Sequence, residues 1–146
     1  MKRSHPIARA FTLVEILIVV VILGILAAIV VPQFVGAVQE TAITTTQTEL
    51  EKLRRAMEVF QVRNENTLPT VAAGNGTWGD LIANNGEYLK EAPANPYVGG
   101  ANAKVIVIAN SPDSSFQSSY GWIYNDATGE IWAGSFDAND EPIPAP

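Results

Sequence analysis

Phe11-Thr12-Leu13-Val14-Glu15 opens the stretch FTLVEILIVVVILGILAAIVVPQFVGAV (residues 11–38), in which 22 of 28 side chains are apolar and Glu15 alone is charged. Ile16 to Val31 carries no charged or strongly polar side chain. Extended to Val38, the run passes the ~20 residues a helix needs to cross a bilayer core. The 146-residue chain as a whole is 47% apolar with a formal net charge of −6. Those averages join a membrane-grade segment to a modest, acidic, water-soluble remainder.

Upstream lies MKRSHPIARA, with Lys2, Arg3 and Arg9 and no acid; the next basic residue after the apolar run is Lys52. The excess of positive charge on one side places the N-terminus in the cytoplasm and the remainder outside. Three readings fit this much. A secretory signal peptide would be removed after Val35-Gly36-Ala37, a small-residue cleavage pattern, leaving a secreted or periplasmic binding domain. A plain single-span anchor would be retained. The third reading starts from Glu15, which neither of the others needs. A carboxylate in a membrane helix costs about 2–3 kcal/mol on insertion scales and marks function by default.

Arg9-Ala10-Phe11-Thr12-Leu13-Val14-Glu15 followed by an apolar helix resembles the N-terminus of type IV pilins and type II secretion pseudopilins, the class III signal-peptide superfamily. The resemblance implies that prepilin peptidase cuts between Ala10 and Phe11 on the cytoplasmic side and methylates the new N-terminus at Phe11. It implies that the helix is kept and used for polymerisation. Ala10 departs from the glycine usual before the cut and is also small. Gly24 and Pro32 fall where the family has a glycine and a helix-bending proline; Pro32 lacks an N–H and is expected to kink the helix there. The resemblance further implies that the backbone between them loosens during assembly.

Cleavage after Ala10 removes Lys2, Arg3 and Arg9, which takes the formal charge from −6 to −9 before the new α-amine is counted. That amine stays mostly protonated near neutral pH, methylated or not. In a staggered array it can meet Glu15 of a neighbouring subunit. At ~4 Å and an effective dielectric of ~20 the attraction is roughly 4 kcal/mol before desolvation. An unmatched buried carboxylate is costly, so Glu15 would select the register of assembly.

Beyond Pro32 the pattern turns amphipathic. Ile43, Leu50 and Met57 repeat every seven residues, as do Thr46, Leu53 and Phe60. This is a helical stripe, with Leu50, Leu53, Met57 and Phe60 expected to pack on whatever the C-terminal residues build. The charged residues between them read as a solvated face, and β-branched Thr41 to Thr48 as the weakest helical section. The helix is expected to end near Asn64, before Pro69. A Gly- and Asn-rich loop over Ala72–Gly79 and one helical turn near Gly79–Ile82 follow. Three strand signals come next: KVIVIA (104–109), YGWIY (120–124) and EIWA (130–133), the last two joined by a hairpin loop ending at Gly129. Trp122 and Trp132 read as core residues.

The expected fold class is therefore α+β: a long N-terminal helix, half transmembrane and half amphipathic, packed on a small antiparallel sheet, similar to the pseudopilin fold. The divisions are a leader at 1–10, a transmembrane and assembly helix at 11–38, its amphipathic half at 39–64, and a globular region at 65–146. Asn66-Thr67-Leu68-Pro69 and Pro93-Ala94-Asn95-Pro96 resemble loop motifs of the major pseudopilin group, and the lack of a cysteine points the same way.

With no cysteine and only His5, thiolate chemistry and a histidine-based zinc or catalytic site in the soluble part are excluded. No nucleophile–base constellation suggests an enzyme. The acidic balance argues against nucleic acid as a partner. The acidic tail, with Asp137, Asp140 and Glu141, reads as a solvated terminus with no defined calcium loop. Oxygen-rich loops can hold Ca2+, and the resemblance implies a Ca2+ site near the C-terminus, so these three are the candidate ligands. The partners it implies are identical or related pilin subunits, prepilin peptidase, an inner-membrane assembly platform and membrane lipid.

Overall fold

The computed structural model describes residues 11–82 and 86–145. The chain divides into two compact units, Met1–Val38 and Gln39–Pro146. One α-helix, α1, runs over Leu13–Arg63 with Pro32 inside it. The threonine-rich section is helical throughout. Thr44, Thr46 and Thr48 each donate their hydroxyl to the carbonyl four residues back, at 3.0, 2.8 and 2.8 Å. That back-bonding gives β-branched residues a polar contact inside the helix. The helix stops where the chain turns left-handed at Glu65 (φ 53°) and Asn66 (φ 62°), with Asn66 N–H returning to Gln61 O at 2.8 Å.

Among the described residues of the second unit, four short strands form one sheet in the order β1-β2-β3-β4, over Gly74–Asn75, Val105–Ile108, Trp122–Tyr124 and Ile131–Ala133. The expectation of an antiparallel sheet needs correction. β1–β2 and β3–β4 are antiparallel, but β2 and β3 run parallel, pairing Ile106 with Trp122 and Ile108 with Tyr124. The reason is the connection. Residues 109–121 are long enough to carry the chain back to the end it left, as a parallel pair requires. β1 is an addition from the Gly-Asn loop, whose glycines hide its pairing from propensity. The one expected helical turn is a 3-10 turn at Gly79–Leu81.

Alternation decides the core. Ile106, Trp122, Tyr124, Ile131 and Ala133 point to one face of the sheet and are buried with Leu50, Leu53, Met57 and Phe60 of the helix stripe. Each such large side chain contributes roughly 1.5–3 kcal/mol by leaving water. Trp78 joins them, edge-on to Trp122 and Tyr124 at 6.5 and 6.4 Å. Trp132 is not core as expected. It pairs with Ile123 on the opposite face and is half-buried. The β3–β4 turn is set by Asn125, whose side-chain oxygen accepts from Ala127 N–H at 3.0 Å, and by Gly129 at φ 79°. At Gly121 a Cβ would lie 2.1 Å from Ala103 O, so only glycine lets β3 start there.

Two polar groups fasten the loops. Asn95 is fully buried. Its amide nitrogen donates to Gly121 O (2.9 Å) and Gly134 O (3.0 Å); its oxygen accepts from Tyr97 and Val98 N–H at 3.0 and 3.1 Å. The Thr46 hydroxyl oxygen lies 2.8 Å from Ala42 O and 3.0 Å from that same oxygen, and its single proton serves one of them at a time. Asp113 holds the crossover, accepting from Ser135 N–H (2.7 Å), Gln117 Nε2 (2.9 Å) and Tyr120 OH (2.5 Å). Burial, then the bond to Asp113 and its charge, push the Tyr120 phenol up to about 12.

Asn95→Asp sets a carboxylate oxygen against two carbonyls. It is expected to cost about 3–5 kcal/mol at neutral pH, with the deficit shrinking in acid as the protonated group regains a donor; thermal melts across pH measure this. The raised Tyr120 group favours the folded state fully below pH 10, and that contribution is lost as pH rises from 10 to about 12. Ultraviolet titration is expected to show a late phenolate step that loses one equivalent in Tyr120→Phe.

Candidate functional site

The site is built from the start of the apolar helix. Phe11 and Thr12 precede its first turn. Glu15 N–H donates to Thr12 Oγ1 at 3.2 Å, while Thr12 N–H and its hydroxyl both donate to Glu15 Oε2, at 3.3 and 3.2 Å. Thr12 and Glu15 thus close a capping box: Thr12 N–H is satisfied by the Glu15 carboxylate, and Glu15 N–H is shared between Thr12 Oγ1 and Thr12 O (3.1 Å). The carboxylate also sits at the positive end of the helix dipole. The signal was legible as Thr-x-x-Glu before an apolar run, and reading Glu15 for its charge alone overlooks it.

From there to Val38 the described side chains are exposed, Phe11 at 73%, Leu13 at 83% and Val38 at 67%. A window of this helix has a mean hydropathy of 3.3, and by length and composition it can cross a membrane. Water does not tolerate such a surface as a stable exterior, since contiguous apolar patches beyond a few hundred Å2 mark an interaction or membrane face. Gly24 has nothing within 4 Å of the position a Cβ would take, and the helix runs through Pro32 without a break. Val35-Gly36-Ala37 lies inside α1 as well. Ala10, the residue before the expected cut, and the rest of the leader lie outside the described residues.

Asp137, Asp140 and Glu141 do not converge. Asp137 Oδ1 accepts from Asn139 and Glu141 N–H at 2.8 and 3.0 Å, and these backbone bonds hold its carboxyl below the usual aspartate range. Both Asp140 oxygens face Arg54. Among the described residues no group of three or more His, Cys, Asp or Glu side chains could hold a metal ion. Asn95 and Arg54, which organise the second unit, were not singled out as site residues by sequence. A buried amide inside Pro-Ala-Asn-Pro and one arginine on a charged helix face look like a loop and a solvated surface.

Residues 7–31 match the prokaryotic N-terminal methylation motif. The chain is 32% identical over 94 residues to the type II secretion system core protein G of Pseudomonas aeruginosa, a match covering 60% of this chain and 66% of that protein. It is 32% identical over 103 residues to the protein of the same name from Escherichia coli, covering 65% and 70%. Against the type IV major pilin protein PilA of Myxococcus xanthus it is 41% identical over 59 residues, covering 40% and 27%. No solved structure matches. A helix opened by a Thr12–Glu15 box inside the methylation motif, an apolar stem, and a small α+β unit alike in sequence to the core protein agree: the chain belongs to the type II secretion system core protein G family, the major pseudopilins of the type IV pilin superfamily.

Proposed function

We propose that this chain is a structural, non-enzymatic subunit of an envelope filament of the type II secretion class, inserted in the inner membrane with its N-terminus cytoplasmic and its C-terminal unit outside. Prepilin peptidase trims it after Ala10 and methylates Phe11. Lipid covers residues 11–38 until assembly, and neighbouring helices replace the lipid in the filament. The observation that carries this reading is an exposed, membrane-grade helix that retains a carboxylate at its first turn. An ordinary exported domain, cleaved after Ala37, has no use for that carboxylate, and its cleavage point would fall within a hydrogen-bonded helix. The register role of Glu15 is kept from the sequence, now beside its role as a cap. Freed by cleavage, the Phe11 amine of one subunit would meet Glu15 of another, and each carboxylate left unmatched in a dry interface would penalise the wrong stagger.

Mass spectrometry of the mature protein is expected to find Phe11 at the N-terminus carrying one added methyl group; a start at Val38 would overturn the proposal. Glu15→Gln separates the two roles of the side chain, because glutamine still serves a capping box but carries no charge. The variant is expected to insert and be processed like the wild type, with filament yield at least tenfold lower in electron micrographs of sheared cells. Unchanged yield would remove Glu15 from register selection.

A further inference from the structure

The loop 137–141 is where acidic residues and family resemblance together suggest calcium, and its donors do not fit one. Calcium takes 6–8 oxygen ligands at about 2.3–2.6 Å. Here Asp137 spends Oδ1 on two backbone amides, and Asp140 is engaged at both oxygens: Arg54 Nη1 lies 2.5 Å from Oδ2 and Nη2 lies 2.9 Å from Oδ1. The same guanidinium donates to Ile131 O through Nε (3.2 Å) and Nη2 (2.9 Å). One planar cation therefore joins the amphipathic helix, the edge strand β4 and the C-terminal loop.

The loop is shaped to receive it. Asp140 adopts a left-handed backbone, φ 60°, and its carbonyl accepts from Gln47 Nε2 at 3.0 Å, two turns earlier on the same helix. Asp137 N–H donates to Glu141 O at 3.0 Å and Asp140 N–H to Asp137 O at 3.1 Å, closing the turn on itself. At its base Phe136 pairs with Pro142 and is fully buried in the core, and Tyr97 OH reaches Ile143 O at 2.8 Å. The Arg54 and Asp140 side chains are 38% and 33% exposed, and a simple ion pair at that exposure is worth little. The bidentate fork and the shared carbonyl set this one apart, and lysine cannot reproduce them. Ile131 also belongs to the last strand of the sheet, whose open edge the guanidinium covers.

We propose that the Arg54 guanidinium does in this chain what a bound divalent cation does in an acidic loop: it locks the C-terminal loop to the helix and the sheet edge, so that the unit folds and holds without calcium. The proposal does not depend on polymerisation, and its test is made on the unassembled full-length chain in detergent micelles. Thermal melts in excess EDTA and in millimolar CaCl2 are expected to coincide, and calorimetric titration with CaCl2 to show no saturable binding. Arg54→Gln is expected to lower Tm by roughly 4–8 °C in both buffers, with Arg54→Lys recovering only part. Should Arg54→Gln fail to fold, Asp140→Asn, which keeps the Arg54–Ile131 contact, replaces it with the same downward shift expected. A wild-type Tm raised by CaCl2, saturable calcium binding, or whichever of these two variants is read melting with the wild type would overturn the assignment.

Discussion

An apolar helical surface that stays exposed is the constraint on which the rest of this protein depends. From Phe11 to Val38 the described side chains are exposed, and each large one would gain roughly 1.5–3 kcal/mol by leaving water. Such a segment must be covered by something outside the folded unit. Lipid and copies of the same helix are both apolar enough to do it. Moving between them costs little hydrophobic energy, because the surface is dry in either place. In the proposed filament the polar exception, Glu15, is what would distinguish one packing from another. A single carboxylate contributes little to the hydrophobic total, but an unmatched charge in a dry interface is penalised strongly.

The second unit solves a different problem. It has 108 positions, Gln39–Pro146, no disulfide and short strands, and much of its chain is loop. Its stability rests on one amphipathic helical stripe buried against one face of a small sheet. The loops are held by a few polar groups placed where several backbones converge. Asn95 satisfies carbonyls from two loops and amides from its own turn. Asp113 gathers the crossover, and Arg54 gathers the edge strand and the C-terminal loop. Each replaces what a larger hydrophobic core or a covalent staple would otherwise provide.

Much of this was legible because periodicity is a local property. The seven-residue repeats through Leu50, Leu53, Met57 and Phe60 are fixed by the helical pitch, and the structure buries all four. The three C-terminal strand signals appear as strands because alternating β-branched and aromatic residues suit a pleat. The direction of β3 relative to β2 was not legible. Nothing in VIVI or WIY encodes whether the intervening loop reverses the chain or carries it back. β1 was hidden because two residues, one of them glycine, pair through backbone alone. Trp132 was misplaced because the face a strand presents depends on register, and a one-residue shift exchanges the faces.

The membrane-grade helix, the motif at its start, the helix stripe and the acidic tail all follow from neighbours along the chain and can be read there. The mixed sheet, the burial of Asn95 and the fate of the tail's carboxylates depend on contacts between distant segments and emerge on folding. Asp140 and Arg54 are far apart in sequence, and a carboxylate's role depends on which cation the fold brings to it. The family resemblance implies a metal near that loop; the geometry supplies a guanidinium, because the helix that buries Leu50 and Leu53 on one face carries Arg54 to the loop from the face beside it.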